Sequence, residues 1–151
     1  DGYSFHYLRK NIRFVMKDGE ELNCHGTSNG ALAIYSPPRN DMELLNKLLH
    51  FLMKKFNIGA HTQVEFDLDA EAFYCRPDRL STFWDKIAKS IEALPRMLFR
   101  RKIAVKIMGI FLFQEPNVNV APKAKLLIHL EQVKVMEAGN GEDDVPKTCF
   151  L

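Results

Sequence analysis

Four acidic side chains alternate along one short stretch, and they form the first pattern in the sequence that could do chemistry: Glu65, Asp67, Asp69 and Glu71. Carboxylate oxygens are the ligands that hard divalent cations need. Neighbours on one face of a strand stand about 6.6 to 7 Å apart, however, which is too far for two of them to hold one ion without a second element. Since no second acidic motif is present, the pattern favours a solvated strand face over a metal site.

The five histidines and three cysteines show no metal-binding or catalytic spacing. No HExxH pair occurs, and Cys24-His25 has no partner pair at zinc-ligand spacing. A nucleophilic Cys75 would need a base beside it, and its context supplies none. Because a glycine-rich phosphate loop and a GxSxG elbow are also missing, we expect no enzymatic activity, no cofactor or metal, and no small-molecule substrate. A small enzyme without a recognisable motif remains an alternative.

Basic side chains gather at two places and could attract phosphate groups or anionic lipid. The candidate contacts are Lys54, Lys55, Arg96, Arg100, Arg101, Lys102 and Lys106. A charged rim that keeps a Phe-rich strand soluble explains the same cluster equally well. The net charge of +2 is too small to decide between the two interpretations.

The C-terminal segment indicates self-association. Residues 137–151 form an acidic, glycine-bearing arm with an apolar end, and the loop over residues 114–123 is long and exposed. An apolar side chain that becomes buried in a neighbouring copy contributes about 1.5–3 kcal/mol. The candidate self-association residues are Cys149, Phe150, Leu151, Val118 and Val120.

The bulk properties predict one globular α+β domain over residues 1–136, followed by the arm. The 151 residues match the common size of a single domain, and 46% of them are hydrophobic. Three widely spaced cysteines favour free thiols in a cytoplasmic or nuclear protein. No apolar run approaches the ~20 residues of a membrane span, so we expect an intracellular protein that is peripheral to a membrane at most.

Periodicity predicts the element order ββ(β)αβαββ, a mostly antiparallel sheet packed with two main helices. Both predicted closing strands slip in phase, one after Gly109 and the other between Leu130 and Val133, which indicates bulges. The predicted elements are a hairpin over Ile12 to Cys24, a strand at 31–35, a helix at 40–56, a strand at 63–74, a second helix from Asp78 or Ser81 to Leu94, and strands at 102–113 and 126–136.

The middle of the chain, residues 56–85, resembles the rhabdovirus matrix proteins. The resemblance rests on Phe56-Asn57-Ile58-Gly59, then Val64-Glu65-Phe66, then Phe83-Trp84-Asp85 at the start of a predicted helix. It implies a viral structural protein for virion assembly that self-associates, condenses a nucleocapsid and contacts the inner membrane face. We therefore expect a non-enzymatic assembly protein that forms homo-oligomers, with RNA and an anionic membrane surface as partners. The alternative is a nucleic-acid-binding domain that uses the patch from Arg96 to Lys106.

Overall fold

The computed structural model describes residues 2–92, 99–116, 119–136 and 149–151. Strands account for 52% of these residues and helices for 16%. The elements are β1 (Tyr3–Val15), a 3₁₀ turn (Met16–Gly19), β2 (Leu22–Gly26), β3 (Leu32–Tyr35), α1 (Arg39–Lys55), β4 (Gln63–Val64), β5 (Ala72–Trp84), β6 (Ser90–Ile91), β7 (Phe99–Phe113) and β8 (Lys123–Met136).

Five strands close into a barrel in the order β7, β2, β3, β5, β8 and back to β7. The β5–β8 pair is parallel and the other four pairs are antiparallel. The first three barrel strands along the chain, β2, β3 and β5, lie side by side, and β7 returns next to β2, which is a Greek-key connection. Outside the ring, β1 continues along the edge of β7 that β2 also uses, β4 adds to β8, and β6 pairs with β5.

One side of α1 packs into the same core as the inner face of the barrel. Met42, Leu45, Leu49 and Leu52 recur at three- and four-residue steps and are at most 1% exposed. They join inward-facing strand residues such as Ile103 in one hydrophobic cluster. The predicted helix is therefore confirmed, although no side chain caps its first turn.

The predicted α+β class with two main helices is wrong. Where a helix was expected from Asp78 or Ser81 to Leu94, β5 runs on to Trp84 and β6 follows; residues 93–98 lie outside the described part. Both expected caps do bind locally, since the Asp78 N–H donates to Ser81 Oγ and that hydroxyl donates to Leu130 O. These hydrogen bonds lie in a large bulge of β5. Pro77 pairs with Leu130 and Thr82 pairs with Gln132, so five residue steps along β5 lie opposite only two along β8.

The apolar spacing that predicted the second helix comes from three different elements. Phe83 and Trp84 end β5, Ile87 and Ala88 lie in the connection that follows, and Ile91 lies in β6. Their three- and four-residue steps match a helical period, although the described residues form strands and a turn. Leu80, inside the bulge of β5, is 70% exposed. The last residues of β5 form a strand because they pair with β8: Phe83 lies opposite Val133, and Trp84 lies opposite Lys134.

Two other local predictions need correction. The expected hairpin over Ile12 to Cys24 does not form, because β1 and β2 both pair with β7 and are joined by the 3₁₀ turn, in which Lys17 and Asp18 adopt positive φ. The expected strand at 63–74 is reduced to the two residues of β4, a run of turns and the start of β5. The predicted acidic alternation still holds within that run, since all four carboxylates are exposed.

The two closing strands are confirmed, and each carries a bulge close to the predicted place, the one in β7 falling just before Gly109 and not after it. The register between β7 and β8 shifts between Ile107 and Gly109, and again opposite Glu131, between Leu130 and Gln132. β7 begins three residues before the predicted start, at Phe99, and β8 begins three before, at Lys123. Together with β1, they form the sheet that carries the candidate site.

Candidate nucleic-acid interface

The outer face of β1 and β7 carries a cluster of aromatic rings, which we call the aromatic platform: Tyr3, Phe5, Tyr7, Phe111 and Phe113. Alternate residues of a strand share one face, so the three β1 rings lie on the same side of the sheet. The register places Tyr3 opposite Phe113 and Phe5 opposite Phe111. The β1 rings are 59%, 44% and 59% exposed in chain order, which is far more than a core aromatic would be.

The five rings of the platform contact one another as a continuous array. Phe5 stacks on Tyr7 with the centroids 5.9 Å apart and the planes 16° apart. Phe5 also lies 5.1 Å from Phe111, which stacks on Phe113 at 6.4 Å and 15°. Such mutual contacts reduce the freedom of the exposed rings and present flat apolar surfaces to solvent.

Two exposed lysines of β8 continue the rows of the platform. Lys123 lies opposite Phe113, and Lys125 lies opposite Phe111. In the next row Tyr7, Gly109 and Leu127 face one another across the three strands. The platform thus has ammonium groups along one side and, at Gly109, a position without a side chain.

Farther along the same face, four nitrogen-bearing side chains form a line across four adjacent strands, which we call the basic row. The register pairs Arg13 of β1 with Lys106 of β7, Lys106 with His129 of β8, and His129 with Arg76 of β5. Asp78 lies beside the row, with its Oδ2 atom 2.8 Å from Lys106 Nζ and 3.2 Å from His129 Nδ1.

The ends of the basic row are held by other contacts. Arg13 forms two hydrogen bonds with the Glu131 carboxylate, at 3.1 and 3.3 Å. At the opposite end, Arg76 Nη1 donates to Asn29 O at 3.0 Å. Both arginines remain exposed at the surface.

A groove of about 420 Å³ separates the platform from β5. It opens beside the first residues of β5, which pair with β3 but not with β8; pairing with β8 begins only at Arg76. Phe5 and Phe111 line one side, Tyr74 and Arg76 line the other, and Leu127 contributes an apolar surface between them. Tyr74 is 62% exposed and adds a ring on the far side of the groove.

The thiols of the barrel do not have the properties of nucleophiles. Burial raises the pKa of Cys24 to about 11 against the opposing effect of Arg101, and burial raises the pKa of Cys75 to about 12 with Asp78 adding to the rise. Both groups are therefore neutral thiols near pH 7. Among the described residues, no three His, Cys, Asp or Glu side chains are arranged to hold a metal ion.

The structure divides the basic residues that were predicted to form a patch. Lys54 and Lys55 are exposed at the end of α1, and Arg96 lies outside the described residues. Arg100 is exposed and pairs with Glu21 at 3.0 Å. Arg101 points into the barrel with 0% exposure and donates to Cys24 O, and Lys102 is half-buried. Lys106 belongs to the basic row, on the same face of the sheet as the platform.

The predicted self-association residues are also separated. Cys149, Phe150 and Leu151 pack on the outer face of their own barrel, against β5 and β8. Val120 is 43% exposed in the loop between β7 and β8, and Val118 lies outside the described residues.

Sequence reasoning missed the platform itself. The alternation of Tyr3, Phe5 and Tyr7 was a usable signal, because aromatic residues at every second position predict one aromatic face of a strand. Lys123 and Lys125 show the same two-residue step. What joins the two signals is the strand register, and neither sequence pattern contains it.

Comparisons with known proteins add no identity to these observations: no protein-family model matches the chain, and no curated protein or solved structure matches it either. None of the helices in the described ranges is long and apolar enough to cross a membrane.

Proposed function

We propose that this protein binds single-stranded nucleic acid along the outer face of β1, β7 and β8. The observation that carries the proposal is the aromatic platform, a set of contacting rings with lysines beside them, of which the three on β1 are exposed and the two on β7 are half-buried. Nucleic-acid bases stack on such rings with little regard to sequence, and nearby lysines attract the phosphates. The proposal retains the nucleic-acid-binding alternative that the sequence suggested. It assigns the binding to the platform and not to the patch from Arg96 to Lys106.

The platform favours single strands over duplexes. In a duplex the faces of the bases are stacked on one another, so exposed rings gain nothing from them. An unpaired strand presents every base face, and stacking on an aromatic side chain contributes about 1–3 kcal/mol per base. The proposed ligand is therefore single-stranded RNA or DNA.

The charges around the platform indicate the course of the strand. Glu65 and Asp67 border a second groove together with Tyr74 and Lys125. These carboxylates would repel phosphates on that side. The basic row lies in the other direction along the sheet, so the favoured path leads from Lys123 and Lys125 towards Arg13 and Lys106.

The barrel architecture is compatible with the proposal but is not the evidence for it. Five-stranded Greek-key barrels include the OB-fold, whose members bind oligonucleotides and oligosaccharides. A fold of this kind hosts many functions, so the argument depends on the platform and not on the barrel.

The test is direct binding of fluorescently labelled oligonucleotides of about fifteen nucleotides, near the upper end of the site size of one such domain. We expect the anisotropy to rise with single-stranded RNA or DNA and to change much less with a duplex of the same length. Phe5→Ala should weaken single-strand binding at least about fivefold, because one stacking ring is lost. The matched control is Phe51→Ala, which removes a 63% exposed phenylalanine from α1.

If single strands do not bind at low salt, or if Phe5→Ala and Phe51→Ala weaken binding to the same extent, the platform is not a nucleic-acid interface.

Self-association is the second candidate, and one observation favours it. Within the described ranges β1 pairs with β7 alone, so its other edge can offer backbone N–H and C=O groups to a strand of a second copy. Light scattering tests this: a mass that grows with protein concentration supports assembly, whereas a monomer at every concentration contradicts it. The likeness to rhabdovirus matrix proteins stays a prediction.

A further inference from the structure

The last three residues, 149–151, cross the outer face of the barrel beyond the basic row; we call them the strap. The Phe150 N–H donates to Gln132 Oε1 at 3.0 Å. The Phe150 ring lies 3.7 Å from the guanidinium carbon of Arg13, and Leu151 O accepts a hydrogen bond from Lys134 Nζ at 3.2 Å. Cys149 is 4% exposed and packs against Trp84 and Ala88.

The strap lies on the direct continuation of the proposed path. In register terms, the row that follows the basic row contains Ala104, Gln132 and Thr82, and the row after that contains Lys102, Lys134 and Trp84. The strap covers this part of the sheet, where Gln132, Lys134 and Trp84 are 6%, 7% and 8% exposed. One face therefore has an open aromatic end and a covered end, with the basic row between them.

The contacts of the strap resemble those that a nucleotide would make. A flat ring lies over the Arg13 guanidinium, as a stacked base would. An oxygen accepts a hydrogen bond from the Lys134 ammonium group, as a phosphate oxygen would. The strap thus occupies groups that suit nucleic acid with chemistry of the same kind.

We propose that Arg13, Gln132 and Lys134 form a second subsite for the same single strand, and that the strap blocks this subsite until a long strand displaces it. This inference rests on the proposed function. A short oligonucleotide would fill the platform and leave the strap in place. A long one would follow the path past the basic row and exchange each strap contact for an equivalent contact of its own.

Trp84 is the only tryptophan of the chain and lies under the strap, so its fluorescence reports whether the strap is in place. Titration with oligonucleotides of about four and about fifteen nucleotides spans the site sizes of one such domain. We expect the emission of Trp84 to shift or to be quenched with the long oligonucleotide, and to stay unchanged at saturation with the short one.

Removal of the strap ring tests the competition independently. Since apparent affinity scales with the fraction of molecules whose site is open, Phe150→Ala should raise the affinity for the long oligonucleotide by about three- to tenfold. Its affinity for the short oligonucleotide should match that of the wild type. Phe150 is 37% exposed, so the substitution leaves the core intact, and Phe51→Ala is again the matched control.

The possible failures are distinguishable. If the long oligonucleotide binds but leaves Trp84 unchanged, and Phe150→Ala has no effect on its affinity, the strap inference is overturned while the proposed function stands. If neither oligonucleotide binds, the proposed function and the inference fail together.

Discussion

Asp78 is the residue that organises the basic row. Its partial burial alone would raise the pKa of the carboxyl group, but hydrogen bonds from Lys106, the Leu80 N–H and His129 outweigh burial and lower the pKa to about 2. The carboxylate therefore stays ionised and orients Lys106 and His129 on the outer face. It also offsets the positive charge of Lys106, which leaves Arg13 and Arg76 as the cations of the row that Asp78 does not contact.

Asp78→Asn should remove an acid-sensitive part of the free energy of unfolding. Because the folded pKa lies below the ordinary value of 3.8, the carboxylate stabilises the fold fully above about pH 4, and this contribution is lost as the pH falls through about 2. Thermal unfolding of both proteins between about pH 2 and 7 measures the difference. The Tm of the wild type should fall more steeply below pH 4 than that of the variant, and parallel profiles would contradict the assigned role.

Lys123 and Lys125 should contribute to phosphate binding as point charges. Replacing both with Gln should weaken binding to all single strands alike and lower the slope of log affinity against log salt by about one per lysine. Binding isotherms at several salt concentrations measure the slope. The double variant Lys54→Gln and Lys55→Gln, which removes two exposed lysines of the predicted patch on α1, is the control; an equal loss of slope there would argue for diffuse electrostatic attraction.

At the scale of elements, Gly109 allows β1 to approach β7 closely beside the bulge. A Cβ atom added at this position would lie 1.9 Å from His6 O, which no small movement can relieve. His6 lies between two β1 residues of the platform, so the position of the rings depends on this approach. The same glycine leaves the surface open between Tyr7 and Leu127.

Gly109→Ala should therefore destabilise the sheet at the platform. We expect the free energy of unfolding to fall by about 1–3 kcal/mol, as for overpacking elsewhere, and single-strand affinity to fall with it. Chemical denaturation and anisotropy measure the two effects. Gly19→Ala is the control for the backbone strain of positive φ, because Gly19 has φ +81 and a Cβ atom there meets only Val15 Cγ1 at 4.0 Å; if Gly109→Ala binds like the wild type, the close approach does not position the platform.

The elements that could be predicted from sequence are those whose side-chain period is unbroken. The apolar stripe of α1 from Met42 to Leu52 fits only a helical period. The bulge near Gly109 could also be predicted, because a long stretch of regular alternation precedes it. The region around β5 defeated the same reasoning because apolar residues from the end of β5, the following connection and β6 together match a helical period. The pairing of β5 with β3, β6 and β8 shows that it is a strand.

At the scale of the whole molecule, the candidate site combines segments that are distant in sequence. β1 supplies three rings, β7 supplies two, β8 supplies the lysines, and β5 lines the far side of the groove. Each segment has an ordinary strand composition when taken alone. The site could therefore not be predicted without the register, and of the basic residues named from sequence only Lys106 lies in the basic row.

The distance in sequence between β1 and its partner also affects how the chain folds during synthesis. Tyr3 to Tyr7 leave the ribosome long before residues 109–113, which they need as a pairing strand. Throughout that interval an aromatic segment of high β propensity has no native neighbour, and such a segment tends to aggregate. Arg9 and Lys10, which follow it after Leu8, are the kind of charged residue that limits this hazard. We expect them to protect the nascent chain as well as to contribute to the folded barrel.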